Sequence, residues 1–398
     1  MRVLLISALP VIDPPCGDVT YTETLLAHPP EGVVYETYDE ALRNGNLREH
    51  YTSASVKEAW SAKGNWFPEL LVGILCKAIN LLRKTGLFFT EQFRFFSVKP
   101  GAYDLIHVHV FHVRFLNLPC PLVVSAGCPL HWVYADGRHW SAMHMWIADL
   151  FEGVLGRIFQ VNLSSNKLTQ ATRFLTYTDD IRDWFVEKGV FPRAKIDIVP
   201  IFKEPAARHK PKRVPKKILF VAKEFYAKGG QTLLNAFDQL RKTFPQAELQ
   251  IVGSPPLIDA EAAAAKNITW TPYIPRDQLL QMFADFDIFA YPTEFDCISY
   301  VLLEAMSHGL PIATSDYHSM PASVAFGEAG KISKVGDADG LAHNLIELMD
   351  PATNAEFSER SLRHFSNTYS TAAVGLQLLN SYRACIGVSD HEQAVRLH

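Results

Sequence analysis

The chain has 398 residues, 48% of them hydrophobic, and a formal net charge of −4. At about 100–200 residues per domain there is room for two buried cores, and the slightly acidic balance excludes a broad nucleic-acid face. Six cysteines without a CxxC pair or a Cys/His zinc spacing exclude a disulfide scaffold and a zinc module, and fit a reducing, cytoplasmic setting.

The first residues, MRVLLISALPVI, look like a short signal peptide, but Pro10 interrupts the run and no small-x-small site follows. They read as a buried strand over 2–7, then a loop with Gly17 and a helix around YTETLLAH. The stretch 69–99 is apolar with five Lys/Arg and two Glu. It reads as core helices, with contact to the inner face of a membrane as the alternative. No apolar run reaches the ~18 residues of a spanning helix. Residues 104–110, 121–126 and 174–178 are buried strands; 179–189 is a helix closed by Gly189, and 195–200 a further strand.

His107 and His109 share one strand face in HVHVFH, but no nearby carboxylate completes a metal set. His109, near the strand's end, is the acceptor-side candidate. His131, His139 and His144 lie in a later stretch that could line the same side.

KEPAARHKPKRVPKK, over 203–217, holds three prolines and seven Lys/Arg and reads as a linker. Strand and helix patterns then alternate again to about residue 350. The expected architecture is α/β: two Rossmann-like, doubly wound parallel-sheet domains facing a cleft. The N-terminal domain is 1–202, the linker 203–216 and the C-terminal domain 217–365. A last helix at about 366–386 is expected to pack back on the first domain.

Two constellations in the second half carry chemistry. TEFDCISYVLLEAM, 293–306, follows a strand ending at Pro292. It places Asp296 in a loop, Ser299 as N-cap, and Glu304 about one turn inside a helix. The free N–H groups of Ser299 to Val301 form an anion site, and two acids beside it suit hydroxyls. Hydroxyls with phosphates mean a nucleotide or sugar phosphate. The plainer alternative has Asp296 capping the helix and Glu304 facing solvent. Upstream, VAKEFYAKGGQTLLNAF puts Lys223 past a strand's carboxyl end and Lys228 before a Gly-Gly helix start, where two ammonium groups can meet one diphosphate. The DxD pairs Asp285–Asp287 and Asp337–Asp339 fall at a strand's amino end and in a helix-capping turn, and read as structural. No GxGxxG follows a strand, which argues against a nicotinamide dehydrogenase.

Together Lys223, Lys228, Pro292, Asp296 to Ser299, Glu304 to Met306 and HGLPIATSD (308–316) resemble the C-terminal domain of the family 4 glycosyltransferases of GT-B fold. The resemblance runs from about 217 to 350, with looser similarity at Gly17, YDLIHVHV and FPRAKIDIVP. It implies a retaining transferase that needs no metal and no cofactor beyond its nucleotide-diphosphate-sugar donor. Lys223 and Lys228 would hold the diphosphate and Asp296 would touch the donor sugar. Ile298, Ser299 and Tyr300 would meet sugar and phosphate through their backbone. Glu304 would hold the ribose, Gly253 and Ile274 would flank the base, and Gly17 would let the diphosphate approach. The acceptor would be a carbohydrate, a lipid-linked group or a small molecule. Asp296, Cys297, Ser299, Lys223 and Gly127 depart from the family's residues at their positions. A catalytically silent nucleotide-sugar-binding subunit is therefore the alternative reading.

Overall fold

Short buried apolar runs make the strands of two parallel sheets in the computed structural model. It describes residues 1–7, 17–50, 94–109, 113–115, 117–127, 141–143, 146–147, 150, 171–206, 214–254, 264–296 and 298–387. The chain divides into two compact units, Met1–Val199 with Gly375–His398, and Pro200–Val374.

The first unit contains β1 (Arg2–Ile6), α1 (Gly17–Ala27), β2 (Val34–Thr37), α2 (Tyr38–Arg43), β3 (Leu47–His50), β4 (Arg94–Val98), β5 (Leu105–His109), β6 (Val113–Phe115), β7 (Leu122–Ser125), β8 (Arg173–Thr176), α3 (Asp179–Glu187) and β9 (Ile196–Ile198). Six of these strands form an all-parallel sheet ordered β2-β1-β5-β7-β8-β9. β5 and β7 are buried along their whole length, as a sheet covered on both faces requires. A small sheet, β3-β4-β6, was not foreseen from the sequence. Gly189 ends α3 at φ +64°, the left-handed position that favours glycine.

The second unit contains β10 (Lys217–Ala222), α4 (Gly230–Thr243), β11 (Glu248–Gly253), β12 (Ile268–Thr271), α5 (Arg276–Met282), β13 (Ile288–Tyr291), α6 (Tyr300–Ser307), β14 (Ile312–Ser315), α7 (Met320–Ser323), β15 (Lys331–Ser333), α8 (Ala338–Leu348) and α9 (Pro351–Thr368). Its strands are again all parallel, ordered β12-β11-β10-β13-β14-β15. The last helix, α10, runs Thr371–Ile386 rather than from about 366. Tyr369 and Ser370 separate it from α9, and the Ser370 hydroxyl accepts from Ala373 N–H at 3.3 Å, starting a new helix. Of the linker expected at 203–216, residues 207–213 lie outside the described set, as do His131, His139, His144, Cys297 and 69–93.

Buried polar groups fix strand ends in each unit. Asp287, fully buried, accepts from Lys216 N–H (2.9 Å) and Lys217 N–H (2.8 Å), tying the start of β10 to the start of β13. In the first unit His107 Nδ1 meets Tyr382 Oη at 2.6 Å and His107 Nε2 meets Ser125 Oγ at 2.8 Å. Tyr382 in turn meets Tyr35 at 3.0 Å.

Two outcomes follow from these buried groups. Asp287→Ala strips a buried anionic acceptor from two part-buried N–H groups and should lower unfolding free energy by about 1–3 kcal/mol, read from urea titration. Burial, with the adjacent His109 as the smaller cause, pushes the His107 imidazole from its usual 6.5 down to about 3. The folded chain therefore binds fewer protons than the unfolded chain between these values, so stability present above pH 6.5 is lost as pH falls toward 3. The urea midpoint should be lower at pH 5 than at pH 7, by less in His107→Gln.

Candidate functional site

In the second sheet the strand order reverses between β10 and β13. Doubly wound sheets bind ligands outside the carboxyl ends of their strands at such a reversal. The loop from β10 to α4, residues 223–229, and the segment from β13 to α6, residues 292–299, both leave there. Gly229 lets them touch. Its φ is +74°, and a Cβ on it would overlap the Pro292 carbonyl oxygen. A side chain at 229 would hold the two backbones apart. Glu294 N–H donates to Ala227 O at 3.0 Å, and Thr232 Oγ1 donates to Glu294 Oε1 at 3.0 Å, so the contact is bonded along its length.

This approach brings Lys228 to Asp296. The ammonium donates to Asp296 Oδ2 at 2.9 Å and to Phe295 O at 2.6 Å, with the Phe295 ring centroid 5.9 Å away. Tyr291 Oη donates to the same carboxylate oxygen at 2.7 Å, and Ser299 Oγ donates to Tyr291 Oη at 3.3 Å. Burial first, and then the Asp296 charge, raise the Tyr291 phenol well above its usual value, so it remains a donor at neutral pH. The Lys228 and Asp296 side chains are only 16% and 19% exposed. Their attraction is therefore less screened than in a surface pair.

Lys223 stands on the same loop, exposed, with no side-chain partner among the described residues. Ser299 is the N-cap of α6, as the sequence predicts, but its hydroxyl turns to Tyr291 and makes no capping bond. Ile298 is half-buried before it, and Tyr300 is the first helical residue. Glu304 does not join Lys228. Its side chain is 4% exposed, which removes the solvent-facing alternative, and its Oε1 is held by the Arg276 guanidinium and by Lys203 Nζ at 3.8 Å. Gly253 ends β11 at φ +118°, where a Cβ would overlap Ala222 O, and its carbonyl accepts from Trp270 Nε1 at 2.9 Å. Ile274, half-buried, lies just before α5 and Arg276.

In the first unit Gly17 is the first residue of α1. His109 is buried, stacked on Tyr21 with centroids 4.2 Å apart, and its Nδ1 meets Ser125 Oγ at 2.8 Å. Both histidines thus meet one serine on one strand face, as their spacing predicts.

Three residues of the second unit escaped the sequence reading. Tyr291 ended an apolar strand and passed for core. Arg276, the first residue of α5, was not singled out. Lys203 was one cation of the linker's charge run. Three of the four DxD aspartates hold backbone or side-chain amides: Asp287 the Lys216 and Lys217 N–H at the start of β10, Asp337 the Gly340 N–H at 2.9 Å, and Asp339 the Gln239 amide at 2.6 Å. Among the described residues no group of three or more His, Cys, Asp or Glu is placed to hold a metal, and no helix is long and apolar enough to cross a membrane.

Residues 215–351 match the family model for glycosyl transferases group 1. Glycogen synthase of Mycobacterium tuberculosis (strain CDC 1551 / Oshkosh) is 26% identical over 165 residues, so the chain spans only 40% of that relative's length, with 40% of its own. Phosphatidyl-myo-inositol mannosyltransferase of Mycolicibacterium smegmatis is 23% identical over 300 residues, 73% of each chain. The crystal structure of WaaG, a glycosyltransferase involved in lipopolysaccharide biosynthesis, superposes with a TM-score of 0.57 at 13% identity, covering 97% of this chain and 99% of that one. Residues 215–351, which hold the Lys228–Asp296 pair and Glu304, therefore match the group 1 glycosyl transferases, in a chain with the two-sheet α/β fold of a solved glycosyltransferase.

Proposed function

We propose that the chain is a retaining glycosyltransferase that moves a sugar from a nucleotide-diphosphate sugar to an acceptor hydroxyl. The observation that carries this reading is the Lys228–Asp296 pair at the reversal of the second sheet, beside the amino end of α6. A cation, a carboxylate and uncapped helix N–H groups together suit a ligand that bears both phosphate and hydroxyls.

Breaking the bond between the anomeric carbon and the phosphate oxygen leaves positive charge on the sugar and negative charge on the diphosphate. Lys228, the exposed Lys223 and the first turn of α6 stabilise the diphosphate as that charge develops. Asp296 accepts from a sugar hydroxyl, and Tyr291 keeps its carboxylate oriented. The acceptor oxygen bonds to the anomeric carbon on the face the diphosphate leaves, and its proton passes to a departing phosphate oxygen. The chemistry needs no second carboxylate of the kind that a double displacement employs. Glu304 binds the ribose, Ile274 and the Gly253 backbone flank the base, and Gly17 and His109 serve the acceptor side. The acceptor class is a carbohydrate, a lipid-linked group or a small molecule. The match to a phosphatidyl-myo-inositol mannosyltransferase supports the lipid-linked case.

The mutual engagement of Lys228 and Asp296 also fits a second reading, a nucleotide-sugar-binding subunit without turnover. Transfer or donor hydrolysis by the purified chain separates the two. In a transferase, Lys228→Ala should lower turnover at saturating donor at least tenfold, about 1.4 kcal/mol of transition-state stabilisation, in steady-state assays. Proton NMR of the first product formed should show the anomeric configuration of the donor, before any mutarotation.

A further inference from the structure

Glu304 is held in a one-sided way. Arg276, at the start of α5, and Lys203 both bind its Oε1. The carboxylate is almost completely buried, while the Arg276 and Lys203 side chains are 33% and 18% exposed. A buried carboxylate needs a cation or several donors to stay charged. Here two cations meet one oxygen, Oε1, while no hydrogen bond or ion pair among the described residues holds Oε2. Lys203 is itself anchored, since its N–H donates to Tyr369 O at 3.0 Å. Arg276 is separated only by Pro275 from Ile274, the residue assigned to the base.

We infer that Arg276 and Lys203 are positioning residues for donor recognition: they clamp Glu304 through Oε1 and present Oε2 to the vicinal 2′- and 3′-hydroxyls of a ribonucleoside diphosphate. The inference rests on the ribose role of Glu304 proposed above. A carboxylate oxygen accepts from both hydroxyls of a ribose, and a dideoxyribose offers neither. Arg276 thereby contributes to discrimination between ribose and deoxyribose without touching the sugar. A methionine at 276 frees the carboxylate to rotate, and the discrimination falls.

The test is equilibrium binding to UDP, GDP and ADP, each also as its 2′,3′-dideoxy form, by calorimetry. The wild-type chain should bind at least one ribonucleotide tenfold or more tightly than its dideoxy form, because hydrogen bonds to a charged acceptor are involved. Arg276→Met and Glu304→Gln should each bring that ratio below about threefold. The double variant should lose no more than Glu304→Gln alone, the mark of two residues acting through one contact. Arg276→Lys should restore part of the ratio. If Arg276→Met does not fold, Lys203→Met and Arg276→Lys are read in its place, and each should narrow the ratio. A wild-type ratio in these Arg276 and Lys203 variants, with the ratio lost in Glu304→Gln, overturns the clamp and leaves the ribose role standing. A wild-type ratio in Glu304→Gln, or no discrimination by the wild-type chain, overturns the ribose role and the clamp with it. Failure of every diphosphate to bind overturns the donor reading as well.

Discussion

One close backbone approach governs the candidate site. Gly229 touches the Pro292 carbonyl, and only a residue without a side chain permits it at that φ. The contact holds the loop after β10 against the segment after β13, at the reversal of strand order. Lys228 and Asp296, sixty-eight residues apart, meet at 2.9 Å as a result. Their proximity is a property of sheet topology rather than of local sequence. Asp287 secures the opposite end of the same two strands, so their register is held at both ends.

The energetics of such a pair favour readiness over stability. Bringing two charges partly out of water costs several kcal/mol per ion in a buried setting, and their attraction repays this only with good geometry and further hydrogen bonds. Both are present: Lys228 also donates to Phe295 O, and Asp296 also accepts from Tyr291. The groups are therefore oriented before any ligand arrives, which lowers the reorganisation that a reaction would require. Glu304 follows the same logic with different partners, Arg276 and Lys203, on the helix that starts beside the pair.

Much of this was legible in the sequence because it is local. Buried strands are short apolar runs, Gly189 marks a helix end, and Lys228-Gly-Gly and the eight-residue spacing of Asp296 and Glu304 stand out. Ser299 was readable as an N-cap position but not as a donor to Tyr291, because the competing partner comes from a strand end. The break between α9 and α10 was missed because the stretch stays helix-compatible through Tyr369 and only Ser370 signals a restart. Arg276 and Lys203 were invisible as partners of Glu304, since charged residues at a helix start and in a linker ordinarily face water. Pairing across such distances depends on strand order, which spacing alone does not encode.

A crystal structure of the chain with the nucleoside diphosphate it binds tests the central claim most directly. A phosphate oxygen is expected within hydrogen-bond distance of Lys228 Nζ, close to the first turn of α6. A nucleotide bound away from the β10–β13 reversal, with Lys228 still engaged only by Asp296 and Phe295, would contradict it.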